Sequence, residues 1–511
     1  MKIIKGILIL LVLYQPVIAL SQGLNNTWLL GYQDTATPPY STMPKARINF
    51  MSGSDSVVLD TRKMRFINSQ GNISDKNGNL LMSSNGIWIA DATGDTMMNG
   101  AGLNPGAYAT ANQNSGMPHP NGNMFLPFPG DSNKYALFHI SGGYGTTTGI
   151  QLFYSIIDIT LNNGLGAVII KNNLIPLGSL GFGGISACKH ANGRDWWVVV
   201  ENDSFNVIYK ILFTSTGIST ISSQSFAANY LGEYSTVIPT FSKDGKHFAY
   251  TTSPGMFFPN ISYMRYFDFD RCSGNFTYVR GIQIPDSMYS MSVAFSANSK
   301  FLYFGSYQTI YQLNIDSVNT SYPIQTVAAY DGFLDSLGLG SPTFGVMYLA
   351  SNNKIYLRNI GASRYLSIIN YPDSAGLLCD VQQHAKLLHC LNITTPNHPN
   401  YFLGKMENSV CDTLLNLTPS FSIRDGVEVV LQVFPNPVND VLSVSYTPSP
   451  QTQVLELLDV HGKVLLLQKL PPWSQTQTVD VSKLPAGLYQ CRLLEGAVTC
   501  KFVKLPSRAG E

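Results

Sequence analysis

His190, Arg194, Asp195, Trp196 and Trp197 fall within eight consecutive positions, the richest polar-aromatic cluster in the chain. A histidine and an aspartate can exchange protons, and a tryptophan face can stack on a sugar ring. The same residues also read structurally. Asn192-Gly193-Arg194-Asp195 suits a turn, and the tryptophans then open a buried strand. We favour the structural reading, because adjacency in sequence is not an arrangement in space. A second candidate is Asp268, Asp270 and Arg271, which alternate with Phe267 and Phe269 as strand geometry requires. Both aspartates then share one face. They could hold a hard cation such as calcium, or pair with Arg271. The spacing is not that of an EF-hand loop, so an ordinary ion pair is the expectation, with no metal site and no cofactor.

The remaining chemistry is sparse. His119, His139, His247, His384, His389 and His398 are scattered along the chain. There is no HExxH, nucleophile elbow, P-loop or dinucleotide fingerprint. Ser242-Lys243-Asp244-Gly245-Lys246-His247-Phe248 is similar to a sialidase Asp box, but its glycine comes one position early and Phe replaces Trp. An aspartate that bonds its own backbone beside a glycine makes a turn without catalysis.

These residues need elements to position them, and composition says which. The chain has 511 residues, net charge +1 and few charged residues, with abundant Gly, Tyr and Phe. Such a mixture suits short strands and tight turns in more than one domain. A near-zero charge gives no general attraction to nucleic acid or to an anionic membrane. Three segments share a strand, polar turn, Lys, strand pattern, with Lys246, Lys300 and Lys354 spaced by 54 residues. Looser copies lie at Asn192-Gly193-Arg194, Ser132-Asn133-Lys134 and Asn77-Gly78-Asn79. Further strands fit at 206–213, 263–269 and 309–315. A repeat of this length holding about four strands marks a β-propeller blade. The anchors imply six blades over about 25–403, with room for another. Trp28-Leu29-Leu30 and Tyr401-Phe402-Leu403 could close the ring by sharing one. The expected fold is all-β: a propeller of seven blades, with six or eight as alternatives, at 22–404. A linker at 405–428 and a small antiparallel, immunoglobulin-like sandwich at 429–511 follow.

Near the C-terminus, strands on either side of Glu495-Gly496 form a hairpin that sets Cys491 opposite Cys500 on the buried face. A disulfide between them is expected. Seven cysteines leave at least one thiol unpaired within the chain. At the other end, Lys2 and Lys5 precede an apolar run to Leu20, with Ala19 and Ser21 before a plausible cut at Gln22. That is the pattern of a signal peptide, 1–21, read by the Sec translocon. No other stretch is apolar enough to span a bilayer, so the mature form should have no transmembrane segment.

The last eighty residues carry Pro435-Asn436-Pro437, Asp459-Val460-His461-Gly462 and Leu484-Pro485-Ala486-Gly487-Leu488-Tyr489. This region resembles the type A C-terminal sorting domain of the type IX secretion system of Bacteroidota. The resemblance implies Pro435, Asn436, Pro437, Asp459, Gly462, Leu484, Gly487 and Tyr489 as sorting-signal positions. It also implies the type IX machinery as partner and export to the cell surface or medium. His190 to Trp197, Phe267 to Gly274 and Pro399 to Gly404 are similar to uncharacterised secreted Bacteroidota propellers. Asp-Ser and Asp-Thr steps at Thr35, Ser56, Thr96, Ser287, Ser317, Ser336, Ser374 and Thr413 resemble the O-glycosylation sequon of the same phylum; they also simply suit turns. Two functions follow as expectations. The first is a non-catalytic binding or scaffold module holding a glycan or protein ligand at one end of the ring. The alternative is a secreted hydrolase or lyase acting on a polysaccharide or glycoconjugate in the channel.

Overall fold

The computed structural model describes residues 23–31, 45–50, 55–143, 149–204, 206–226, 238–252, 262–286, 290, 292–317, 324–337, 343–407, 409, 411, 420–424, 427–434, 436–474, 476–493 and 498–505. The signal peptide, Pro435 and the tip at Glu495-Gly496 lie outside the described residues.

Blade 4 shows how the sequence builds each unit. Ser186–Lys189, Trp196–Glu201, Val207–Thr214 and Gly217–Ser225 pair as successive antiparallel neighbours. The first two strands are buried along their whole length, while the last, rich in Ser and Thr, is mostly exposed. An apolar inner edge and a hydroxyl-rich outer edge are what radial stacking demands, since neighbours cover the inner faces and water meets the rim. Four-stranded sheets of this kind also run from Thr240 to Gln283, Val293 to Ala329 and Met347 to Asn392. Residues 71–175 form an eight-stranded sheet that is two such blades, touching edge to edge through one parallel bridge, Ala167 with Met98.

With the three-stranded sheet Thr27–Leu30, Lys45–Asn49 and Ser56–Asp60, the blades among the described residues number seven, the expected count. Apolar clusters fasten each neighbour to the next. Phe248, Phe267 and Phe276 sit with Trp197 between blades 4 and 5. Trp28 of blade 1 meets Tyr348 and Tyr356 of blade 7 edge to face, which closes the ring.

The repeat anchors all fall in the turn after a blade's first strand. Asp244 accepts the Lys246 N–H at 3.1 Å, Asn298 that of Lys300 at 3.0 Å, and Asn352 that of Lys354 at 3.2 Å. Asp75, Asp131 and Asn192 accept backbone N–H groups in the corresponding turns of blades 2, 3 and 4. The 54-residue rhythm is therefore a rhythm of side-chain-capped turns.

Among the described residues blade 1 has three strands. Residues 394–399, from the other end of the propeller, run between the inner strands of blades 2 and 7. His398 bonds the Asn72 carbonyl on the blade 2 inner strand at 2.8 Å. Its own backbone is bonded to the Tyr348 hydroxyl on the blade 7 inner strand. Sharing between the two ends is thus present, but Tyr401-Phe402-Leu403 lie just past the shared blade and form no strand.

The expected linker is too long. Met406 N–H bonds the Ala191 carbonyl at 2.7 Å, and Cys411 is tied to Cys272. At the other side Ser420–Arg424 already pairs with Val427–Phe434, so the second domain begins before 429. That domain has two four-stranded sheets facing each other over Leu442, Val444, Leu455, Leu457, Leu493 and Phe502. Cys491 stands opposite Cys500 in the expected register, and both are buried. They are nevertheless thiols, which corrects the expected disulfide. Hairpin register brings two residues opposite each other and does not by itself make a bond. The Cys491 thiol is held well above its usual pKa, by its hydrogen bond with Cys500 and then by burial. The disulfide present is Cys272–Cys411, across a sequence separation of 139 that no local spacing signals.

Candidate functional site

The turn that carries the polar-aromatic cluster joins the first two strands of blade 4. Arg194 grips the adjacent Asp195 through two bonds of 2.8 and 3.0 Å, and Asn192 donates to the same carboxylate at 2.7 Å. His190 Nδ1 accepts the Asn192 N–H at 3.1 Å, so Nε2 carries the proton and donates to the Cys272 carbonyl at 3.0 Å. Burial holds this imidazole below its usual pKa. With both nitrogens occupied, it has no proton to trade with Asp195. Trp196 is fully buried, gives its N–H to the Pro127 carbonyl at 3.1 Å and lies under the Lys189 ammonium at 3.9 Å. No sugar can reach that ring face.

Arg271 completes the knot. It is buried and donates to the carbonyls of Lys189, His190 and Gly404 at 2.8, 3.1 and 2.6 Å. The structure therefore brings His190, Arg194, Asp195, Trp196 and Arg271 together as a fastening, not a reaction centre. Asp268 and Asp270 are both exposed on one strand face, as alternation requires, yet neither pairs with Arg271. Asp268 accepts from His247 at 3.0 Å, and Asp270 caps the turn at Cys272 and Ser273. Among the described residues no group of three His, Cys, Asp or Glu side chains could hold a metal ion.

What the knot fastens is a strap. After His398 the chain crosses the face that carries the repeat turns, from blade 1 toward blades 4 and 5. Asn400 donates to the Lys243 carbonyl at 2.6 Å and Tyr401 to the Phe125 carbonyl at 2.9 Å. Arg271 then holds Gly404, and Cys272 holds Cys411. Gly245 lets the strap pass close. Its φ is +72°, and a Cβ there would sit 2.6 Å from Leu403 Cδ2 and 2.8 Å from Cys188 Sγ. Gly245→Ala should therefore cost about 1–3 kcal/mol, read as a lower urea midpoint. An unchanged midpoint would contradict this close approach.

Beside the strap the central channel opens into a cavity of about 260 Å³. Its walls are the first strands of blades 3 to 7 and the turns beside them, with Asn25, residues 397–400, Phe402 and Leu403. The lining is amide, hydroxyl, aliphatic and aromatic, and no carboxylate belongs to it among the described residues. Lys243 and His398 are its basic groups. Lys243 reaches across the mouth to Asn353 Oδ1 at 2.7 Å. Partial burial lowers its pKa, with Asp373 pulling the other way. His398 gives its Nε2–H to Asn72, and burial holds its pKa down at about 4, so its Nδ1 is a bare acceptor. Among the described residues that atom, Ser351 Oγ and Asn25 Oδ1 have no hydrogen-bond partner, and all three are buried away from the open cavity. Phe402 is 41% exposed at the rim.

None of these lining groups stood out as functional in the sequence. One signal was available. Position 243 is Lys where the same repeat position holds Ala297 and Ser351, so blade 5 breaks its own pattern at the channel mouth.

In the terminal sandwich the residues expected as sorting-signal positions lie in turns and on the core. Asn436 bonds the Lys501 carbonyl and the Val503 N–H, at 3.0 and 2.8 Å. Pro437 is exposed beside it. Asp459 caps the turn containing Gly462, whose φ is +80°. Leu484 packs on the core, Gly487 opens a strand, and Tyr489 stacks on Phe502 with its hydroxyl on the Pro485 carbonyl.

Residues 432–504 match the secretion system C-terminal sorting domain. No curated protein matches the chain. Among solved structures it is similar to a protein from Lactobacillus plantarum, at 12% identity and TM-score 0.40, covering 68% of this chain and 92% of that one. It is similar to the Niastella koreensis GH74 enzyme at 10% identity and TM-score 0.35, covering 83% of this chain and 51% of that one. A quinonprotein alcohol dehydrogenase-like protein from Bacteroides thetaiotaomicron gives 11% identity and TM-score 0.35, covering 74% and 77%.

Proposed function

We propose that this chain, whose residues 432–504 are a type IX secretion sorting domain, displays a non-catalytic ligand-binding propeller outside the cell. The sorting domain directs export across the outer membrane, to the cell surface or the medium, by engaging the type IX machinery. Entry to that route rests on residues 1–21, read as a signal peptide for the Sec translocon. No helix among the described residues is long and apolar enough to cross a membrane.

The observation that carries the binding reading is the channel cavity, lined by amide, hydroxyl and aromatic side chains, with no carboxylate among the described lining residues. Glycoside hydrolysis ordinarily needs two carboxyl groups flanking the bond, one held protonated. Glu201, a carboxyl with a strongly raised pKa, is not in this lining. The wall instead offers acceptors and donors to a hydroxylated ligand, with an aromatic ring at the rim.

The test is a melt of the full exported protein against neutral and acidic sugars, polysaccharides, peptidoglycan fragments and glycoproteins. A ligand at about a hundred times its Kd should stabilise the fold by about 2.7 kcal/mol. Product analysis on the ligand that shifts the melt separates binder from enzyme. Turnover of that ligand would overturn the non-catalytic reading, and a panel without any shift would overturn the binding reading.

A further inference from the structure

We infer that the outer edge of Val464–Leu470 is the surface by which the sorting domain docks on the type IX machinery, taking up an apolar strand flanked by carboxylates. The inference rests on the export reading above and names where and how that partner is met.

The edge is open. Val464–Leu470 pairs on one side with Gln453–Leu458, and among the described residues no strand pairs with its other side. Backbone donors and acceptors along such an edge are a template for one more strand. Two other edges of the sandwich are guarded. Along Val498–Lys504 the Val438 N–H bonds the Val503 carbonyl, and the Leu505 N–H bonds the Val438 carbonyl, each at 2.8 Å. On Thr476–Asp480 the exposed side chains are Thr476, Thr478 and Asp480, all polar.

The open edge is also apolar. Leu467 is 62% exposed, and Val464 and Leu465 are exposed with it. Leu466, between them, packs on the core, so alternation holds Leu465 and Leu467 on the outward face. Val460 before the strand and Trp473 after it extend the exposed apolar stretch. A bare hydrophobic edge invites aggregation and is ordinarily removed. A domain whose task is to be recognised has a reason to keep one.

Charge selects the occupant. From Val460 to Trp473 the sequence holds Lys463 and Lys469 and no Asp or Glu. Two copies paired antiparallel about Leu466 would set Lys463 opposite Lys469 at both ends, and directly opposed like charges are destabilising. A strand with an apolar centre and carboxylates at its ends meets the same edge with two ion pairs instead. The edge lies within 432–504, the part matched as a sorting domain, so the machinery that exports the chain is the partner it serves.

The experiment is an export assay of the full chain in a bacterium with a type IX system, reading the fraction outside the outer membrane. Leu465→Thr/Leu467→Thr keeps strand preference. It should lower that fraction about tenfold or more with an unchanged urea midpoint. Lys463→Glu/Lys469→Glu should lower it too. Val441→Thr, at an exposed valine of the other sheet, should change nothing. Should the leucine variant fail to fold, a photo-crosslinking side chain at Leu467 gives a second reading. It should link the chain to an identified type IX component, and the same side chain at Val441 should not. Full export of either double variant, an equal loss with Val441→Thr, or no such link from Leu467 would overturn this inference and leave the export reading standing. Full export of the leucine variant with loss of a dimer in solution would assign the edge to a second copy. Export that persists after removal of residues 432–504 would overturn both.

Discussion

Cys411→Ser should lower the unfolding free energy by roughly 3–5 kcal/mol, from the chain-entropy cost of losing a link that closes a long loop. The Cys272–Cys411 bond spans a separation of 139 residues, which takes in the last strand of blade 5, blades 6 and 7 and the strap. Cutting it frees the unfolded chain far more than it disturbs the native one. The native strap keeps its other holds, from Arg271 to Gly404 and from Tyr401 to Phe125. Loosening should therefore begin near Met406 and leave the shared inner position at His398 in place. Urea melts with and without a reductant give the check. Reductant should reproduce the loss in the wild type and do nothing to the Cys272→Ser/Cys411→Ser double variant. An equal wild-type midpoint in both conditions would show that this bond does not form. Arg271→Met should couple to Cys411→Ser non-additively, because both groups hold one segment.

That staple marks the border of what the sequence discloses. The propeller was legible because each blade repeats a local device: an Asx side chain capping the turn before Lys246, Lys300 or Lys354. Local devices leave local patterns. The C-terminal hairpin was legible for the same reason, since alternation alone sends Tyr489, Cys491, Leu493, Val498, Cys500 and Phe502 to one buried face. The shared first blade was half legible. Both chain ends could be seen to supply pieces, but the inner piece is 394–399, which carries no strand alternation and is held by side-chain bonds.

The site was less legible than the fold. His190, Asp195, Trp196 and Arg271 attracted notice because polar and aromatic residues crowd together there, and burial turned each inward. Arg271 serves three backbone carbonyls, and a buried guanidinium is kept only when such partners exist. The cavity residues come from different blades, and Lys243 meets Asn353 across a separation of 110 residues. Closure of a ring decides which distant turns face one another, and no spacing along one strand encodes it. The disulfide was misassigned for the same reason.

Glu201→Gln should make the protein more stable at pH 8, by an amount on the order of 3–5 kcal/mol, and leave it nearly unchanged at pH 4.5. Glu201 ends the second strand of blade 4, is 2% exposed, and among the described residues neither carboxyl oxygen has a hydrogen-bond partner on another residue. Burial pushes its pKa up to about 8 from an ordinary value of 4.5, against a smaller lowering pull from its own backbone N–H. Below pH 4.5 both the folded and the unfolded chain hold the proton, so the residue adds no pH dependence. Between pH 4.5 and 8 the unfolded chain releases it while the folded chain keeps it. The unfolded state then binds fewer protons, and stability falls as pH rises, by up to about 1.4 kcal/mol per pH unit. Above pH 8 the folded chain ionises too and the loss levels off. Carboxylates with lowered values, such as Asp60 and Asp335, bias stability in the opposite sense. They are common to both proteins and cancel in the difference. Urea unfolding of wild type and variant from pH 4.5 to 8.5 isolates that difference. Parallel curves would mean that Glu201 is ionised in the folded state, which would require a partner for its carboxylate at the seam between blades 4 and 5.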